Sequence, residues 1–487
     1  MVRTGRRPLF WFAFLLLLLV PLLLLHVQLV RLNRAVQAKR YPYVLLITID
    51  TLRADRLGCY GNCAIKTPII DRLVRDSVQF ENFYSQIPIT NPSHCSIFTG
   101  LLPSNHGVLT NGVALAGHFT TLTQRFQEME YRTAAFISGF SLVKRISGLH
   151  HHFDLYDDEW SGTRVERGGK ETTRAALNWL RRLKDNPRER FFLWVHYFDP
   201  HQPYEPGYPY DEMYLQKDFV RPPAGAGEVK AENYKANAAN AKLAGFFHVV
   251  VKDTMTTSAT PDQVRWNLGK YDGEISAVDR EVGRLLRELA QLGILDETLI
   301  MLLSDHGEGF DHDYFFTHGD RLYDSSVRIP AILHLPYEPA RLTAAPAETV
   351  DILPTMYELF NYMGEGGRDG RSFLNEISGG PAAIPADIFA MTPGLNRAEM
   401  SLGPLISIRT SQWKMIMHET SGETQLYSMD DDPAELVDKR QAKPRIAADL
   451  AGRLRRFMAD RPELSGAEPV NLDEEVTARL REMGYIK

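Results

Sequence analysis

The chain has 487 residues, 44% hydrophobic and 24% charged, a balance that excludes a disordered polymer and supports a large α/β domain with a smaller companion. Its formal net charge is −6 with acids and bases interspersed, so the composition offers no broad basic face and excludes nucleic acid as a partner. Three cysteines are too few for a disulfide framework, although Cys59 and Cys63 share one short loop where they either pair or stay reduced.

At the N-terminus, Arg3, Arg6 and Arg7 precede an almost unbroken apolar run from Pro8 to Val30. As a helix that run is roughly 33 Å long, enough for a hydrocarbon core. A single-pass membrane anchor with its basic flanks is therefore expected over residues 1–40. Pro21 would only kink it. The rival reading is a cleaved signal peptide ending near Val36-Gln37-Ala38. Its apolar region should be shorter, however, and Arg31, Arg34, Lys39 and Arg40 follow directly here.

Beyond the anchor, short β-branched apolar runs end abruptly in polar residues: Val44 to Ile49, Thr133 to Ile137, Phe191 to Tyr197 and Thr298 to Leu303. They read as buried parallel strands. Between them lie stretches of helical period, Ala175 to Leu183 and Tyr271 to Leu292. In the latter, Ile275, Val278, Val282, Leu285, Leu286 and Leu289 fall on one face. Strands alternating with helices predict a doubly wound, mostly parallel sheet over residues 41–363. Residues 207–263 have weaker periodicity and read as a partly helical insertion over the site. A Gly-rich stretch near Gly364 opens a C-terminal α+β subdomain and tail, residues 364–487, with a strand pair (Leu405 to Arg409, Trp413 to Met417) and a helix (Ile446 to Met458).

The chemistry concentrates where buried strands end, the crevice in which open α/β sheets place ligands. Asp50 ends the first strand, and Asp305 and His306 end another. Two carboxylates and an imidazole at one sheet edge would repel or stay half-desolvated unless a cation joined them, and together they form an O/N ligand set for a divalent metal. Taken singly, each has a plain structural role, an Asp as helix N-cap and Asp-His-Gly as a turn. In Thr90-Asn91-Pro92-Ser93-His94, Pro92 suits a first helical turn and Gly100 suits the helix end, so Thr90 and Asn91 are expected at the N-cap. There the free N–H groups and the helix dipole favour an alkoxide and a bound oxyanion. Simple capping by Thr90 is the alternative. An alcohol is a poor nucleophile at neutral pH, and a metal within reach is its natural activator. His150, His151 and His152 are adjacent in a loop, where side chains seldom converge on one ion.

These segments occur in a recognisable succession. Val44 to Asp55, the Thr90 segment with Pro103-Ser-Asn-His106-Gly107, Asp199-Pro-His201-Gln-Pro-Tyr204, Asp305-His-Gly-Glu308 with Tyr323 to Pro330, and Leu426 to Glu435 resemble, in order, the motifs of the sulfatase-like branch of the alkaline phosphatase superfamily. The resemblance spans about residues 41–460. It implies that Asp50, Asp305 and His306 bind a divalent metal (Ca, Mg, Mn or Zn), with Thr90 as fourth ligand and covalent nucleophile. It further implies that Asn111 holds a non-bridging substrate oxygen, that His201 protonates the leaving group, and that His318 binds substrate or helps hold a second ion. The implied substrate is a small-molecule, glycan or lipid ester, with the catalytic domain outside the cytoplasm.

Departures from the pattern carry a mechanistic consequence. Typical sulfatases place Cys, matured to formylglycine, where Thr90 stands, and Arg where His94 stands. Their Lys-x-His pair is also missing, since the corresponding strand continues as Phe136-Ile137-Ser138-Gly139. A threonine ester cannot expel sulfate by elimination and must be attacked again at sulfur or phosphorus, so phosphoryl chemistry is favoured over sulfate chemistry. Two alternatives stand beside hydrolysis: transfer of a head group onto a glycan or lipid, and a non-catalytic binding protein on the same scaffold.

Overall fold

A computed structural model describes residues 40–160, 166–183, 189–215, 261–312, 314–362, 368–380, 387–394 and 403–461, and the backbone of 467–469. The expected anchor and residues 216–260 of the 207–263 insertion lie outside the described residues. No helix among those described is long and apolar enough to cross a membrane.

The central sheet is built from β1 (Tyr43–Ile49), β2 (Val78–Tyr84), β3 (Arg132–Phe136), β4 (Leu155–Asp157), β5 (Phe191–Tyr197), β6 (Thr298–Ser304), β7 (Arg328–His334) and β8 (Arg341–Thr343). Their order is β8-β2-β7-β6-β1-β5-β3-β4, with β9 (Ala347–Glu348) pairing with β2. The block β6-β1-β5-β3-β4 is parallel. β7 runs antiparallel to both β6 and β2, so the sheet is mixed and only predominantly parallel. Alternate residues serve opposite faces. Val44, Leu46, Trp194, Met301 and Leu303 pack into one core. Leu45, Ile47, Leu193, Val195, Ile300 and Leu302 pack into the other.

The first face receives α1 (Thr90–Thr99), every residue of which is buried. The second receives α2 (Gly169–Leu183) and α3 (Pro261–Gln291), through Leu177, Leu180, Ile275, Val278, Val282, Leu285 and Leu289. Leu286, expected on that stripe, is only half-buried. Both helices start earlier than the expected bounds, by six residues for α2, whose first turns are polar, and by ten for α3, where Val264 and Leu268 already continue the apolar stripe.

The C-terminal unit is a four-stranded antiparallel sheet, β10 (Ile388–Thr392), β11 (Leu405–Arg409), β12 (Trp413–His418) and β13 (Thr424–Ser428), covered by α4 (Pro444–Ala459). Ile406, Ile408, Met415, Met417, Leu426, Leu450 and Leu454 form its separate core. Cys59, Cys63 and Cys95 are all free thiols, which removes the pairing of Cys59 with Cys63 left open by their spacing.

Candidate active site

Three elements of the sheet and one helix converge at the carboxyl edge of β1. Asp50 follows β1 directly, and Asp305-His306 follow β6, the strand beside it. Thr51 turns the chain away at φ +55, a strained conformation for a β-branched residue. Its N–H thereby meets Asp305 Oδ1 at 3.2 Å, and the His306 N–H donates to the same oxygen at 2.8 Å. One oxygen of Asp305 is thus satisfied by backbone, while Oδ2 has no hydrogen-bond partner. His306 Nδ1 donates to the Gly307 carbonyl at 3.0 Å, so the neutral ring presents its lone pair at Nε2. That nitrogen lies 3.7 Å from Asp50 Oδ1 and 3.6 Å from Asp305 Oδ2.

Ligand atoms of Asp50, Asp305 and His306 all lie within 4.8 Å of one another, and this is the one such metal-capable group among the described residues. Both Asp50 oxygens, Asp305 Oδ2 and His306 Nε2 are fully buried without hydrogen-bond partners. Leaving such atoms unpaired is costly, and a divalent cation satisfies all of them at once. Burial first, then the Asp305 and Glu308 carboxylates, push the Asp50 carboxyl well above its usual range. The residues present therefore fit a divalent ion in donor type, burial and tautomer. The His150 and His151 rings lie tilted against each other, centroids 4.2 Å apart, and join no such group.

Thr90 opens α1 as its first helical residue. Ile89, in extended conformation, is the N-cap, so the expected capping by Thr90 and Asn91 is displaced by one residue. The cap acceptor comes from elsewhere: Asn111 Oδ1 accepts the Asn91 N–H at 2.9 Å. Freed from capping, the Thr90 hydroxyl is buried with no hydrogen bond of normal geometry, yet it lies close enough to the Asp50 carboxyl to favour its ionised form. Gly100 closes the helix at φ +66. Residues 90, 94 and 98 share one helical stripe, which lays Phe98 and His94 on Trp194, with ring centroids 4.7 and 5.3 Å away. Packing of that stripe is what carries Thr90 to Asp50.

The remaining candidates line the same crevice. Asn111 Nδ2 is buried and unpartnered, an amide donor available to an incoming oxygen. His201 stacks on Phe198 and meets His318 edge-on, with centroids 4.2 and 4.9 Å apart. His318 in turn lies 4.5 Å from the His306 ring. Burial, followed by the His318 ring, lowers His201 to about 3, so the imidazole is neutral. Its Nδ1 donates to the Gln202 carbonyl at 2.6 Å.

Several participants escaped the sequence reading. Glu308 is buried, accepts from Tyr204 Oη at 3.0 Å and lies 3.3 Å from His318 Nδ1. Thr48 and His196 sit on β1 and β5 in register. The available signal was polarity: a histidine inside Phe191 to Tyr197, and a threonine two residues before Asp50 and hence on its face.

A family model described as Sulfatase matches residues 42–362. The chain is 24% identical to an arylsulfatase of Clostridium perfringens, over 83% of this chain and 92% of that protein. It is 26% identical to a multifunctional alkaline phosphatase superfamily protein of Trinickia caryophylli, over 69% and 77%. Among solved structures, a phosphonate monoester hydrolase of Agrobacterium radiobacter superposes with a TM-score of 0.66 at 22% identity, covering 86% of this chain and 95% of that one. A protein solved with its substrate D-glucosamine-2-N,6-O-disulfate gives 0.69 at 20% identity, covering 85% and 97%.

Proposed function

The chain belongs to the sulfatase family, and from that membership together with the site's geometry we propose that it hydrolyses phosphate or sulfate esters through a covalent intermediate on Thr90, with phosphate esters preferred. The observation that carries this reading is the buried, uncapped Thr90 hydroxyl set against the Asp50–Asp305–His306 group. The preference for phosphorus follows from threonine itself, since its ester lacks the elimination route open to a formylglycine hydrate.

Asp50, Asp305 and His306 would hold the ion, with Thr90 as the fourth contact. A bound divalent ion supplies the Lewis acidity that makes a hydroxyl nucleophilic and neutralises the ester's oxygens. The chain's residues do the rest. Thr90 gives up its hydroxyl proton to solvent, and its Oγ1 attacks phosphorus or sulfur in line as the bond to the leaving oxygen breaks. Asn111 Nδ2 and the free N–H groups at the start of α1 receive the non-bridging oxygens. His201 protonates the leaving oxygen. It is neutral by burial alone, but an anionic ester lying against the ring favours the imidazolium, so the substrate itself charges its acid. His318, held by Glu308, lines the same side and orients the ester. Water then attacks the Thr90 ester, His201 takes its proton, and the bond to Thr90 Oγ1 breaks, returning that oxygen as the alkoxide.

The Pro8–Val30 run supports tethering of this domain to a membrane, which keeps the site near lipid or glycan esters, and the family resemblance supports its placement on the non-cytoplasmic side. Thr90→Ala and Asp305→Ala are expected to lower kcat by about 10³-fold or more on a panel of aryl phosphates, phosphodiesters and aryl sulfates. Wild-type turnover by either variant on all three classes would overturn the mechanism. Within the panel, a kcat/KM ranking that puts aryl sulfates first would overturn the preference for phosphate.

A further inference from the structure

The turn that leaves β1 is held from two sides. Three successive N–H groups reach out from it: Thr51 donates to Asp305 Oδ1 at 3.2 Å, Leu52 to Ser304 Oγ at 2.9 Å, and Arg53 to Tyr271 Oη at 3.0 Å. The first two partners stand at the end of β6, and the third is on α3. Tyr271 also meets this turn a second time. A carbonyl oxygen can only accept, so the Tyr271 hydroxyl donates to the Thr51 carbonyl, at 2.7 Å. With a backbone N–H entering its oxygen and its proton going to a carbonyl, the phenol has both roles fixed by valence. One side chain thus bridges residues 51 and 53.

Thr51 needs such a bridge. At φ +55 it occupies a region that a β-branched residue adopts only where its surroundings impose it. Its own hydroxyl is buried and makes no hydrogen bond, so its side chain supplies no polar contact that would fix the conformation. Tyr271 supplies one from α3, where its ring is fully buried with those of Tyr204 and Phe310 at 5.6 and 5.0 Å. The consequence falls on Asp305. The N–H groups of Thr51 and His306 pin its Oδ1, and the Thr51 bond is the longer of the two. With Oδ1 pinned, the buried and unpartnered Oδ2 is the oxygen set 3.6 Å from His306 Nε2. Relaxation of Thr51 to a negative φ would re-aim the peptide units beside it and release the carboxylate to rotate.

We propose that Tyr271 is a positioning residue for the divalent centre: acting through Thr51, its hydroxyl fixes which oxygen of Asp305 is offered to the ion. The proposal rests on the reading of Asp50, Asp305 and His306 as that centre. Both bonds from Tyr271 to the turn are to backbone, so it acts at one remove from the ion. Partners that orient a metal ligand from behind govern metal affinity by about 10- to 100-fold.

The test is Mn²⁺ binding to the full-length protein, followed through the electron paramagnetic resonance of the free ion and so without reference to activity. Tyr271→Phe keeps the ring, removes the hydroxyl and should raise the Kd for Mn²⁺ by about 10-fold or more. Tyr131→Phe controls for stability alone. Tyr131 Oη donates to the Tyr41 carbonyl at 2.6 Å, a comparable buried bond where β1 and β3 begin, and its loss should leave the Kd unchanged. Glycine adopts a positive φ without strain, so adding Thr51→Gly to Tyr271→Phe should recover most of the lost affinity. If Tyr271→Phe binds Mn²⁺ as tightly as the wild-type protein, or loses no more than Tyr131→Phe, the proposal is overturned and the metal centre stands. A double variant whose Kd remains about 10-fold above wild type overturns action through Thr51 and with it the proposal. That comparison holds even where Tyr271→Phe alone does not fold. No Mn²⁺ binding by the wild-type protein overturns both the proposal and the centre it rests on.

Discussion

At the scale of single residues, the site works by leaving polar atoms unspent. Asn111 shows the logic most clearly, because its two amide atoms have separate duties. Oδ1 accepts the Asn91 N–H and caps α1, and Nδ2 is buried without a partner. Asn111→Ala is expected to lower kcat by about 10²- to 10³-fold through loss of the oxyanion donor. The same variant should lose only about 1 kcal/mol of stability through loss of the cap. Steady-state kinetics and urea unfolding of one preparation separate the two effects, and a stability loss without a kinetic one would confine Asn111 to capping. Thr90 is the complementary case. Ile89 holds the N-cap position and Asn111 supplies the capping oxygen, so the Thr90 hydroxyl is spared for chemistry.

At the scale of elements, α1 is placed by what it is packed against. Its carboxyl-terminal side leads through Gly100 into a short helical turn, Pro103–His106, whose last residue is fully buried. His106 Nε2 donates to Ser96 Oγ on α1 at 3.1 Å, and Nδ1 accepts the Val108 N–H at 3.1 Å. The bond at Nδ1 requires the neutral ring, because a protonated Nδ1 cannot accept. Burial lowers its pKa from 6.5 to about 3. Between those values the unfolded chain binds a proton that the folded chain refuses, so stability is full above about pH 6.5 and is lost as pH falls toward 3. The slope is about 1.4 kcal/mol per pH unit for this one group. Unfolding free energies measured from pH 7 to 4 should fall less steeply for His106→Gln than for the wild-type protein, and parallel slopes would refute this account.

At the scale of the whole molecule, the C-terminal sheet is joined to the α/β domain by a buried ion cluster. Lys414, on β12, is 1% exposed and sits 2.7 Å from Asp324 and 2.8 Å from Glu435. Asp324 precedes β7 in the catalytic half, and Glu435 follows β13 in the C-terminal half, where it adopts φ +56. Removing Lys414 leaves the buried Glu435 without its cation and Asp324 with Arg409, 3.6 Å away. Lys414→Met should therefore cost about 3–5 kcal/mol, read as a lowered urea midpoint, and a loss below about 1 kcal/mol would show that the cluster is solvated in solution.

Much of this architecture is written along the chain. The four apolar runs ending at Ile49, Ile137, Tyr197 and Leu303 became adjacent strands, because burial on both faces demands unbroken apolar sequence. The helical stripes on α2, α3 and α4 followed from their period, and the motifs ending in Asp50, Asp305 and His306 met at one sheet edge. Sequence period did not reveal the antiparallel run of β7, the extra turns of α2 and α3, or which residue caps α1. The direction of β7 and the capping of α1 depend on hydrogen bonds between segments far apart in the chain. The bonds of Tyr271 to Thr51 and Arg53 belong to the same class. A local pattern can specify which face a side chain occupies, but its hydrogen bonds are fixed by the partners on neighbouring elements, and only folding brings those partners within reach.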